Sequence, residues 1–73
     1  MSPITSSTAE KSLVQSLTNE YESTGLRIAA AEALGEMRYT GPELLVVMQT
    51  GTENTELRAA AARALGRVFK AKA

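Results

Sequence analysis

The 73-residue sequence predicts an all-α fold, a four-helix fragment of an α-solenoid made of two helical hairpin repeats. Three observations predict it. Residues 26–35, "LRIAAAEALG", return as residues 57–66, "LRAAAARALG", with eight of ten positions identical at a shift of 31. Alanine, the best helix former, supplies nine of those twenty residues. The apolar residues recur at helical spacing, and no strand pattern is present.

Each element follows from local chemistry. Residues 1–6 form a Ser/Thr/Pro tail with nothing to bury and are expected to be disordered. Ser7 stands three residues before Glu10, the spacing at which hydroxyl and carboxylate satisfy two orphan helix donors. The first helix carries Leu13, Leu17 and Tyr21 on one stripe and should end near Tyr21. "STG" at residues 23–25 breaks the chain and offers capping hydroxyls. The second helix places Leu26, Ala30, Ala33, Leu34 and Met37 on one face and stops around "RYTGP". Thr40 and Glu43 repeat the capping-box spacing, and Pro42 falls in the first turn, where its missing N–H costs nothing. The third helix is short, residues 42–50, and ends at Gly51. Asn54 or Thr55 then caps the fourth, whose stripe is Leu57, Ala61, Ala64, Leu65 and Val68.

The echo reaches beyond the alanine helices. Leu13 answers Leu44, Val14 answers Leu45, Leu17 answers Met48, Glu22 answers Glu53 and Thr24 answers Thr55. The repeating unit is therefore a whole hairpin. Residues 7–73 form one domain, with units at about 12–42 and 43–73.

Composition narrows function. The chain has no cysteine and no histidine, which removes disulfides, thiolate metal sites, the commonest metal ligand and the commonest general base. No cofactor, no metal and no catalytic constellation is expected, and the chain reads as a non-enzyme. Eight Lys and Arg balance eight glutamates, so nucleic acid is disfavoured as a partner, because phosphate neutralisation supplies most non-specific affinity. No secretory leader and no membrane-spanning run is present, and a cytoplasmic location is the default expectation.

The two alanine-rich segments resemble the first helix of the short HEAT-like repeat named after the phycobilisome lyases: a hydrophobe-Arg pair, an alanine stretch, then Ala-Leu-Gly. The resemblance covers nearly everything after residue 10. It implies helices in inner-outer-inner-outer order, with the first and third lining a partner-binding surface and the alanine-rich pair packing on the outside. It also implies an Asp–Arg ladder along the stack. This chain contains no aspartate, and Ser23 and Asn54 occupy the matching places as neutral caps. Glu22 and Glu53, each five residues before its arginine, are the candidates to supply the carboxylate to Arg27 and Arg58. The same resemblance would allow an accessory role in bilin attachment or antenna turnover, although the lyases carry several more repeats.

Two surfaces are therefore candidates for function. The inner helices present Gln15, Ser16, Val46, Val47 and Gln49 toward a protein partner. The ends of the stack offer Glu32, Glu36, Arg63, Arg67 and Phe69 for self-association, as a closed dimer or an open stack. Glu32 and Glu36 become Arg63 and Arg67 at the same repeat positions, so the pairs could meet within one chain or between copies. Gly35 and Gly66 each cost a helix interior about 1 kcal/mol relative to alanine, which calls for close approach of a neighbouring helix or a bend.

Overall fold

The computed structural model describes residues 3–70, and within them the chain forms four α-helices and no strand. These are α1 (Ser6–Thr18), α2 (Thr24–Glu36), α3 (Glu43–Gln49) and α4 (Thr55–Val68). Helices α1 and α2 make the first hairpin, α3 and α4 the second. The alanine-rich α2 and α4 pack along one another, whereas α1 and α3 barely meet. The result is the two-hairpin α-solenoid fragment that the repeat predicts.

Helix α1 begins earlier and ends sooner than its sequence pattern suggests. Thr5, not Ser7, is its N-cap, and the Thr5 hydroxyl accepts the Thr8 N–H at 3.1 Å. The Ser7–Glu10 capping box does not form, because Ser7 lies inside the helix. Ser6 is helical as well, so the expected tail is shorter than six residues; Met1 and Ser2 lie outside the described residues. At the other end the Thr18 hydroxyl turns back onto the Val14 carbonyl at 2.8 Å. Asn19 leaves helical geometry and its Oδ1 accepts the Tyr21 N–H at 3.0 Å. These side chains compete with the helix for backbone partners and stop it at Thr18. Tyr21 consequently sits off the stripe, 95% exposed.

Helix α2 is capped by the Ser23 hydroxyl, which accepts the Leu26 N–H at 3.2 Å. It ends in a Schellman motif: Arg38 N–H donates to the Gly35 carbonyl at 3.1 Å and Tyr39 N–H to the Leu34 carbonyl at 3.0 Å. Arg38 is held at φ 57°, a left-handed conformation that costs a side-chain-bearing residue roughly 1–2 kcal/mol. The buried face of α2 is Arg27, Ala30, Ala31, Leu34 and Gly35. Leu26 and Met37, expected on that face, are 44% and 36% exposed. Their repeat partners Leu57 and Val68 are buried, because α2 covers that side of α4 while nothing among the described residues covers it on α2.

The expected Thr40–Glu43 capping box does not form either. Pro42 occupies the cap position of α3 with no side-chain cap, and the Glu43 carboxylate is taken by the Tyr39 hydroxyl instead. Helix α4 starts as expected at Asn54, whose Oδ1 accepts the Glu56 and Leu57 N–H groups at 2.8 and 3.3 Å. Its buried stripe is Leu57, Ala60, Ala61, Ala64 and Val68, with Leu65 only half-buried.

Leu17, Leu34, Leu44 and Leu57 are the largest fully buried side chains, one from each helix. The alanines between them let α2 and α4 approach closely. A Cβ added at Gly35 would lie 2.8 Å from the Ala64 Cα and 2.9 Å from its Cβ, which explains glycine in the interior of this helix. Gly35→Ala should therefore lower stability in urea unfolding by about 1–3 kcal/mol, the overpacking strain exceeding the gain in helix propensity. Arg38→Gly should act oppositely, raising stability by about 1 kcal/mol through relief of the left-handed strain.

Candidate interaction surfaces

Arg27 is the one charged side chain among the described residues that is buried, at 7% exposure. It starts from the first turn of α2 and joins three segments. Its Nε donates to the Leu17 carbonyl at 2.9 Å, in the last turn of α1 where helix carbonyls lack partners. Its Nη1 and Nη2 grip both oxygens of Glu53, at 3.0 and 2.6 Å, from the loop before α4. A bidentate, charge-assisted pair of this kind is both stronger and more directional than a neutral hydrogen bond. The pairing crosses from one repeat to the next: Glu53 reaches back to Arg27, not forward to Arg58.

The second repeat reproduces half of this arrangement. Arg58 Nε donates to the Met48 carbonyl at 2.8 Å, the counterpart of the Arg27–Leu17 bond displaced by one unit. Among the described residues neither Arg58 nor Glu22 enters an ion pair. The ladder thus has one complete rung, with an arginine left over at one end and a glutamate at the other.

Glu32, Glu36, Arg63 and Arg67, expected at the ends of the stack, lie instead at the seam between the two hairpins, because α2 and α4 pack along one another. Arg63 meets Glu32 and Arg67 meets Glu36, each at 3.3 Å across the α2–α4 seam. All four side chains are well exposed, so each pair contributes only about 0.2–1 kcal/mol. Phe69 caps the C-terminal end of α4 and is 68% exposed.

The candidate partner surface divides. Gln15, Val46 and Gln49 are exposed, Ser16 is half-buried, and Val47 is buried at 5% exposure. The assignment of Val47 to the surface is corrected: α3 turns it inward to the core with Leu44, three residues earlier on the same face, while Val46, about 100° round the helix, points out. Gln15 also lines an open cleft of about 300 Å³ with Glu10, Lys11, Val14, Tyr39 and Glu43. Sequence reading missed Glu10, Tyr39 and Glu43 as a group. Tyr39 and Glu43 share an i,i+4 spacing, but the residues between them are a turn, so no helical rule joined them.

In that cleft the Tyr39 ring lies over Gly41, where a Cβ would overlap it, and its hydroxyl donates to Glu43. The hydrogen bond to Glu43, then burial, then the charges of Glu43 and Glu10 push the Tyr39 hydroxyl up to about 12. The hydroxyl thus keeps its proton well into the alkaline range and donates it to Glu43 across the α2–α3 turn.

Among the described residues no group of three or more Cys, Asp or Glu side chains is placed to hold a metal ion, and no helix is long and apolar enough to cross a membrane. Comparison with protein-family models, with curated proteins and with solved structures finds no match to this chain.

The Arg27–Glu53 rung makes a prediction about acid. The Arg27 guanidinium holds the Glu53 carboxyl below its usual range, against an opposing push from burial. A carboxyl whose folded pKa is depressed contributes stability above its unfolded pKa and loses it as pH falls through the folded value. Glu53→Gln should cost about 1–3 kcal/mol at pH 7, and the gap to the parent should narrow progressively as pH drops below about 4.5. Thermal melts at stepped pH check it; a gap independent of pH would show that the pair contributes no linked charge energy.

Proposed function

We propose that the chain is a non-catalytic protein–protein interaction module, a HEAT-like solenoid fragment that self-associates through the ends of its stack. One observation carries the reading. Residues at the open face of the first hairpin remain exposed while their counterparts one repeat away are buried: Leu26 is 44% exposed against 0% for Leu57, and Met37 36% against 8% for Val68. Helical-repeat units bury such faces against neighbours, and an uncovered end is complementary to whatever would extend the stack. The Glu–Arg rung between repeats supports the HEAT-like reading, with glutamate in the role the resemblance gives to aspartate.

The exposed part of the inner surface, Gln15, Val46 and Gln49, remains free for a second protein in this reading. Val46 is 56% exposed and adjoins Leu45 at 42%, so α3 presents apolar atoms outward as well as inward.

Sedimentation velocity over a hundredfold concentration range, with the melting temperature recorded at each concentration, tests the proposal. The expected result is a sedimentation coefficient and a melting temperature that both rise with concentration, as mass action requires when association is linked to folding. A monomer with a concentration-independent melt would overturn it.

A further inference from the structure

We infer that the association is head-to-tail, with the first hairpin of one copy docking on the second hairpin of another in the register by which the two hairpins already pack inside the chain. This rests on the self-association proposed above and specifies its partner face. The contact within the chain supplies the template. Glu53, Leu57 and Ala64 of the second unit sit on the first unit, where Glu53 grips Arg27 and Ala64 fills the space over Gly35.

Shifting each residue by 31 gives the two faces left open. On the first hairpin they are Glu22, Leu26 and Ala33; on the second they are Arg58 and Gly66. Leu26 is 44% exposed and Ala33 only partly buried, although Leu57 and Ala64 are both at 0%. Arg58 already holds the orientation of Arg27, with its Nε on the Met48 carbonyl. Its guanidinium lacks only a carboxylate, and Glu22 of a second copy is the residue that the register places there.

Gly66 is an independent observation. Nothing among the described residues lies within 4 Å of a Cβ at this helical position, so packing inside one chain gives no reason for glycine. Gly35, its counterpart, is glycine because Ala64 presses on it. In the proposed register Ala33 of the next copy presses on Gly66 in the same way. The seam charges agree as well. Arg63 and Arg67 would each lie between a glutamate of their own chain and the same glutamate of the neighbour, so every rung along the stack alternates in sign. Such a contact joins unlike faces and therefore need not close at two copies.

The test uses sedimentation velocity on the full chain, its charge-reversal variants Glu22→Lys and Arg58→Glu, and Gly66→Leu. The parent should grow in mass without a dimer limit. Each reversal alone sets like charges against one another and should weaken association at least about tenfold. An equimolar mixture of the two reversals should recover it in an alternating stack. At one junction the introduced lysine meets the introduced glutamate, and at the next the unchanged Glu22 and Arg58 meet. Gly66→Leu guards against misfolding as the cause of loss. It should melt no lower than the parent when dilute, yet fail to associate. A discrete dimer that survives all three substitutions, or a loss that mixing does not restore, would overturn the head-to-tail register while leaving self-association in place. A parent that stays monomeric would overturn both.

Discussion

A guanidinium withdrawn from water needs nearly all its donors satisfied, and in this chain that demand falls on Arg27. The end of α1 and the loop before α4 meet it, so three segments of the chain are tied to each other by one side chain. The Leu17 carbonyl that it caps would otherwise be an orphan of the α1 terminus. The carboxylate that it grips belongs to the other repeat. Breaking either contact leaves a buried charge short of partners, which costs more than the intact pair contributes. The hairpins are thereby set in one register rather than a range of sliding ones.

Around that fixed point the packing is economical. One large leucine from each helix fills the centre, and alanines fill the seam between α2 and α4. Small residues bury little area each, about 25 cal/mol per Å² of apolar surface, so close approach has to compensate by multiplying contacts. Gly35 permits that approach. The turn between the hairpins then carries two local costs, the left-handed Arg38 and the backbone entropy of ordering Gly41, a glycine because the Tyr39 ring takes the space a Cβ would need. The Schellman bonds and the Tyr39–Glu43 bond offset them.

The repeat made most of the architecture legible before any coordinates. Four helices and the Ser23 and Asn54 caps follow from spacing, whereas the pairs Glu32–Arg63 and Glu36–Arg67, which spacing leaves open between one chain and two copies, are settled only by the packing of α2 on α4. Coverage was not legible. Leu26 and Leu57 have nearly identical neighbours in sequence, and only the presence of α2 beside α4 separates an exposed leucine from a buried one. The Glu53 partner was misjudged for a related reason. Spacing along one chain points to Arg58, but Glu53 stands outside the helix, one residue before its cap, where it faces the preceding unit. Val47 failed on angle alone, since a run of apolar residues on a short helix must turn some inward and some outward. At Ser7 and Thr40 the capping pattern was present but another side chain reached the backbone or the glutamate first.

The opposite charges at the seam impose a rule of parity on how such a chain could lengthen. Positions 32 and 36 are acidic and positions 63 and 67 basic at the same places in successive units. Doubling either unit beside itself would seat acid on acid or base on base, a small penalty at each rung but one that accumulates along a stack. Copying the pair preserves the alternation. The natural unit of growth is then two hairpins, twice the period that the sequence first displays.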